Sequence, residues 1–292
     1  MLKKLTMILL AVGLSGALGG CLVKKKDPSE IPTYTSTDPV LRFYQPGDTI
    51  NYLVQAQDGV TTRTGTLQIK WENTNPIPSP FPPNTYTVLK ETTTLTLGQT
   101  SPVTDTLVRY VEQDTTTGTT TTGSMYLRAF DSPTAGEYFW LSPSNVPTSS
   151  VQRFEIFRSP LDTAAMAGQI DLGNYYVVDN CNGTTCNDQL AFIQSNTFEV
   201  TASNQTVDIP GTGIFKNVYK VQYNATMTPG PTTPLLDILN VCGGTGQVTS
   251  HQTVLYIVPE IGVIKMVNTC TDQGGGAPVI YIATLDTTTF QY

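Results

Sequence analysis

Histidine occurs once in the 292 residues, at position 251, and charged residues make up only 13% of the chain. A single histidine removes the usual members of His-based metal sites and of most catalytic triads. His251 stands in a polar run ahead of an expected strand, a surface position. No G-x-S-x-G elbow, P-loop or H-E-x-x-H pattern is present. Paired carboxylates are the remaining route to hydrolysis. Glu137, Glu155 and Glu199 fall on expected strands, but nothing in the sequence brings two of them together. The chain is therefore read as non-enzymatic, with no cofactor. Cations are also scarce. Five of the 16 lysines and arginines precede Asp27, so 11 face 23 acids beyond it, a net of −12. A body this acidic repels phosphate backbones and carries no basic stripe, which excludes nucleic acid as a partner. What is abundant is threonine, tyrosine, glycine and proline, the composition of pleated, half-buried strands joined by tight turns.

Long apolar runs are absent as well. Lys3 and Lys4 precede an apolar stretch, Leu5 to Leu18, too short for the roughly 20 residues of a membrane-spanning helix and suited to a secretory signal peptide. It ends in Leu18-Gly19-Gly20-Cys21, which resembles the lipobox of bacterial lipoproteins. The resemblance implies cleavage before Cys21, a diacylglyceryl group on its sulfur and an acyl (palmitate-type) chain on the new amine. Such chains anchor stably without a span. Lys24, Lys25 and Lys26 would then lie at the lipid surface. Leu22 stands where lipoprotein sorting reads an aspartate as inner-membrane retention, which implies the outer membrane. The organisation expected is residues 1–20 signal peptide, 21–39 lipid anchor and flexible tether, and 40–292 one β-rich domain.

Of five cysteines, Cys21 is assigned to lipid, leaving Cys181, Cys186, Cys242 and Cys270. An even remainder in an oxidising compartment reads as two disulfides. Proximity favours Cys181–Cys186, with Cys242–Cys270 by elimination. A zinc site would need more than Cys-x4-Cys and one histidine. Asp179 to Asp188 is an oxygen-rich segment read as a turn, with calcium as the alternative; no metal site is assigned.

Period-two patterning predicts strands at Thr49–Gln57, Val60–Trp71, Thr85–Leu97, Asp105–Gln113, Ser124–Asp131, Glu137–Leu141, Val151–Arg158, Tyr175–Asp179 and Gln189–Ser203, then four more toward the C-terminus. Asp58-Gly59 suits a two-residue type I′ turn, placing Ile50, Tyr52 and Val54 on one face with Leu67, Ile69 and Trp71. Pro76, Pro78, Pro80, Pro82 and Pro83 predict an extended loop over 73–84 that no strand crosses. Short helices are expected at Ser159–Gln169 and Leu235–Val241. Phe215, Tyr219, Val221 and Tyr223 alternate onto one face, opposite Lys216, Lys220, Gln222 and Asn224.

Gly47-Asp48-Thr49-Ile50-Asn51-Tyr52, the Pro210-Gly211 turn before Phe215 and Tyr219-Lys220-Val221, and Pro259-Glu260-Ile261-Gly262 together resemble a group of bacterial envelope lipoproteins and secreted proteins. Those are similar to the LolA/LolB carriers. The resemblance implies a mainly β fold, a large curved antiparallel sheet (half-barrel or open barrel) with one or two short helices. It also implies a membrane-anchored envelope lipoprotein that binds or carries an apolar ligand such as a lipid. The alternative is a structural or interaction lipoprotein docking on an envelope protein partner. Tyr52, Trp71, Phe215, Tyr219 and Tyr223 are the residues that either face such a ligand or fill the core.

Overall fold

The computed structural model describes residues 31–78, 85–98, 102–114, 124–131, 138–142, 154–157, 159, 161, 170–171, 175–182, 185–229, 248–272 and 277–290. The described residues are strand and turn, with no helix among them. The two expected helices, apart from Ser159 and Leu161, lie outside the described residues, as does Cys21.

The strands are β1 (Thr33–Thr35), β2 (Thr49–Gln57), β3 (Thr62–Asn73), β4 (Ile77–Pro78), β5 (Thr85–Tyr86), β6 (Leu89–Leu97), β7 (Val103–Asp114), β8 (Ser124–Asp131) and β9 (Tyr138–Ser142). They continue with β10 (Phe154–Phe157), β11 (Ile170–Asp171), β12 (Tyr175–Asn182), β13 (Thr185–Ile209), β14 (Gly213–Pro229), β15 (Val248–Val258), β16 (Gly262–Asp272) and β17 (Val279–Thr288). Fifteen of them form one sheet and β4–β5 a separate pair. The arc carrying the core runs β13-β14-β15-β16-β17-β2-β3-β6-β7-β8 and is an open antiparallel sheet. From β8 the path returns toward β13 through β9 and β12, in two ladders of three residue pairs each. The mainly β class expected from the alternation and the large open sheet implied by the lipoprotein resemblance are both observed.

The core lies on one face of this arc. Ile50, Tyr52, Val54 and Ala56 of β2 are buried there with Leu67, Leu95, Leu255, Ile264, Met266, Ala283 and Leu285. Cross-strand partners share a face, so one residue in two from every strand feeds the same core. A second, smaller cluster lies elsewhere: Tyr110, Ala129 and Trp140 pack with Ile77 and Val88. Ile77 and Val88 flank the proline-rich stretch, and β4 pairs with β5 through Ile77↔Tyr86 and Pro78↔Thr85. The stretch thus supports a two-residue ladder, which the proline count had seemed to forbid. Thr85–Leu97 is correspondingly two strands in different sheets.

Four other expectations change. The hairpin at Asp58-Gly59 pairs Gln57 with Thr62, so its loop spans Asp58 to Thr61. The Asp58 carboxylate accepts bonds from the Val60 and Thr61 amides at 3.0 and 2.7 Å and from the Thr61 hydroxyl at 2.7 Å. That side-chain turn lengthens the loop by two. An even shift leaves the faces unaltered: Tyr52 lies opposite Leu67, and Ile50 opposite Ile69. Asp179–Asp188, read as a turn, is largely strand: Asp179–Asn182 pairs with Thr185–Asp188. His251, placed ahead of a strand, lies within β15 and pairs with Cys270. The ordered chain also begins before residue 40, because Thr33–Thr35 of the expected tether is strand β1, parallel to Ile214–Lys216 of β14.

Candidate functional site

The segment from β1 to β2, residues 33–48, crosses the open face of the arc as a strap. It has no periodic pattern, yet contacts far along the chain fix it at every few residues. Ser36, 3% exposed, donates its amide to the Lys216 carbonyl at 3.2 Å and accepts the Asn217 side-chain amide on its own carbonyl at 2.8 Å. Its hydroxyl donates to Glu260 Oε2 at 2.7 Å, while the Thr37 and Asp38 amides donate to Glu260 Oε1 at 2.9 and 3.2 Å. Farther on, the Leu41 amide donates to the Ser159 hydroxyl at 3.0 Å and the Arg42 amide to the Pro259 carbonyl at 2.8 Å. The Tyr44 amide donates to Gln113 Oε1 at 2.9 Å, and Gln113 Nε2 returns a bond to the Tyr44 carbonyl at 2.8 Å. The bonds at Ser36, Leu41 and Tyr44 hold backbone that would otherwise be buried without a partner.

Side chains complete the closure. The Tyr44 ring stacks on Trp71, centroids 3.9 Å apart and planes within 3°. The Arg42 guanidinium lies 3.6 Å from the Phe290 ring centroid and donates to Asp48 Oδ2 at 2.8 Å. Asp48 also accepts the Gln45 amide at 2.8 Å, while the Gly47 amide donates to the Trp71 carbonyl and the Trp71 amide to the Asp48 carbonyl. The two sequence motifs are thus the halves of one seat. Gly47-Asp48…Tyr52 turns the strap into β2. Pro259-Glu260-Ile261-Gly262 receives its middle, with Tyr52 donating from its hydroxyl to the Val263 carbonyl at 2.8 Å. Burial raises the Tyr44 hydroxyl far above the ordinary phenol value; Arg42 opposes this, and the Glu91 and Asp48 charges add to it. Tyr52 is raised too, by burial first and then by Tyr44 and Glu91. Both phenols stay neutral donors and offer no base.

Beneath the strap is a cavity of about 20 Å³ lined by Leu41, Arg42, Met125, Ile257, Pro259 and Val263 among others, room for one water. The inner face also holds an ion pair: Arg109 Nε donates to Glu91 Oε1 at 2.7 Å, with side chains 7% and 2% exposed. Trp71 Nε1 is buried without a hydrogen-bond partner.

Of the residues expected to face a ligand or fill the core, Tyr52, Trp71 and Phe215 are core, at 1%, 3% and 2% exposure. Tyr34 of β1 covers Phe215, ring centroids 6.3 Å apart. Tyr219 is half-buried against the core, whereas Val218, on the expected opposite face, is fully buried. Asn217 has a left-handed φ of 58°, and the β13–β14 register shifts around it; this bulge breaks the alternation. The Tyr223 side chain lies outside the described set. Cys181 and Cys186 are direct cross-strand partners. Cys270 is buried and disulfide-bonded, and Cys242 lies outside the described residues. The carboxylates do not converge: Glu155 pairs with Tyr126, Glu199 with Gln222, and Glu137 is outside the described set. Among the described residues no three His, Cys, Asp or Glu side chains form a metal-sized cluster. Sequence reasoning missed Ser36, Arg42, Tyr44 and Gln113, for which the only signal was the pair of motifs they bridge.

No protein-family model matches the chain, and no curated protein matches it. A solved structure from Bacteroides fragilis, described as an exported protein with a YmcC-like fold, is similar at 13% identity and a TM-score of 0.36, over 86% of this chain and 99% of that one. Another from Parabacteroides distasonis, described as a lipoprotein, is similar at 10% identity and a TM-score of 0.37, over the same shares.

Proposed function

We propose that this chain is a lipid-anchored, non-enzymatic envelope protein whose β body is a rigid docking scaffold that works through its outer surface. The observation that carries this reading is the close packing beneath the strap among the described residues. The strap lays Leu41 and Tyr44 over Tyr52 and Trp71, and about 20 Å³ remains beneath it. An apolar ligand needs a cleft of some hundreds of Å³. The carrier alternative would therefore require the strap to leave its seat and break the Glu260, Pro259 and Gln113 bonds together.

Acylation at Cys21, an outer-membrane location and disulfides Cys181–Cys186 and Cys242–Cys270 complete the proposal. They rest on the lipobox resemblance, the cysteine count and the Cys181↔Cys186 register. Crosslinking in cells tests the docking role: one dominant protein adduct is expected, and adducts distributed by protein abundance would count against it. Incorporation of labelled fatty acid, lost in Cys21→Ala, tests the anchor.

A further inference from the structure

The outer face of β15, β16, β17 and β2 carries an apolar strip that the sheet leaves uncovered. Val254, Val267 and Ile282 are direct cross-strand neighbours, half-buried. Leu53, 52% exposed, is diagonal to Ile282 across the β17–β2 ladder. The next row reads Lys220, Tyr256, Lys265, Thr284 and Leu53, with the Lys265 ammonium 5.5 Å from the Tyr256 ring centroid. Elsewhere the outer face differs: the small Ile77–Trp140 cluster covers β7–β9, and β3 and β6 present threonine and glutamine with Lys70, Glu72 and Lys90, the Lys70 ammonium held by Glu72 at 2.7 Å. Two lysines flanking an aromatic beside a short apolar row stand out on a body with a net charge of −12.

We infer that this strip rests on the anionic lipid surface to which Cys21 tethers the chain; the inference depends on the anchor reading of the preceding section. Two observations select lipid as the occupant. From Cys21 to Thr33 the chain extends at most about 40 Å, and β1 lies against Ile214–Lys216 of β14, while Val267 lies two strands across at the level of Gln222, about 20 Å farther along the sheet. The tether is therefore long enough for Cys21 to enter the membrane on this side of the body. The chemistry is also that of a headgroup boundary. Tyrosine and short apolar side chains enter the interface, and lysines lay their stems along it with the ammonium toward phosphate. Lys24, Lys25 and Lys26 lie on the same tether and act in the same direction.

The test uses the full acylated chain, its acylation confirmed by intact mass, reconstituted in phosphatidylcholine vesicles with and without phosphatidylglycerol. A photocrosslinking residue is placed by Val267→p-benzoylphenylalanine, by Leu53→p-benzoylphenylalanine as a second site should the first fail to fold, and by Thr106→p-benzoylphenylalanine as the comparison. Thr106 is exposed on β7, about 24 Å of sheet away. The expected result is at least fivefold more lipid adduct at Val267 or Leu53 than at Thr106. Lys220→Gln with Lys265→Gln should lower that yield several-fold in phosphatidylglycerol vesicles and leave it unchanged in pure phosphatidylcholine. Equal yields at all positions, protein dimers from the strip, or a single protein adduct from it in cells would overturn the inference. A chain whose mass shows no acyl group fails the anchor reading instead.

Discussion

Gly262 holds a φ of +105°, and a Cβ there would run into the Tyr44 hydroxyl. Gly262→Ala therefore combines backbone strain with the loss of the seat for Tyr44, and about 2–4 kcal/mol of stability should disappear in urea unfolding. Asp58 gives a pH signature. Bonds from Thr61 first, then Val60, depress its carboxyl from 3.8 to about 2. A group whose folded value lies below its unfolded one supports the fold above the unfolded value and loses that support as pH falls through the folded one. The hairpin loop should thus be unaffected above about pH 4 and loosen as pH falls toward 2. An NMR titration of the Asp58 carboxyl and the Val60 and Thr61 amides should share a midpoint near 2; a midpoint near 4 would contradict the observed bonds. At this scale the sequence was partly legible. Alternation alone placed Tyr52, Trp71 and Phe215 inward. It also set Tyr219 on the core face, opposite Ile257, but gave no sign that Val218 is buried too, because that depends on one left-handed Asn217, and asparagine is common in positions that need no such geometry.

The strap is the element that sequence periodicity could not show. Its order comes from partners far along the chain, Glu260 and Ser159 more than a hundred residues away and Gln113 69 residues away, while its own residues carry no pattern. Glu260→Ala should remove the acceptor for three donors and cost about 2 kcal/mol. Amide exchange at Thr37 and Asp38 should rise, with little change at β2. An unchanged exchange pattern would mean that the carboxylate contributes nothing to strap order. The β6–β7 pair offers a second check. Arg109→Met alone leaves the Glu91 carboxylate buried without its cation and should cost about 3–5 kcal/mol, whereas Arg109→Met with Glu91→Gln should recover most of that loss. Strand identity was the most legible feature at this scale: β2 and β8 run over the residues that alternation assigns. Hairpin register was less so, because the Asp58 side chain, rather than the Asp-Gly dipeptide, decides the loop length.

Across the whole molecule the sheet is an open arc closed by its own N-terminal segment, with the apolar strip left on the far side. Composition made the β class legible, and the motif resemblance the large open sheet. The filling of the inner face was not legible, since Tyr52, Trp71 and Phe215 would read the same in a packed core as around a ligand. What supports a packed face, among the described residues, is Tyr44 stacking on Trp71 and the small volume beneath the strap. Native mass spectrometry of the acylated protein, released from its membrane under conditions that keep non-covalent lipid in place, tests this most directly. The expected result is the mass of the polypeptide plus its covalent acyl groups and nothing more. A stoichiometric additional lipid, retained by the wild type and lost on Gly262→Ala, would contradict it.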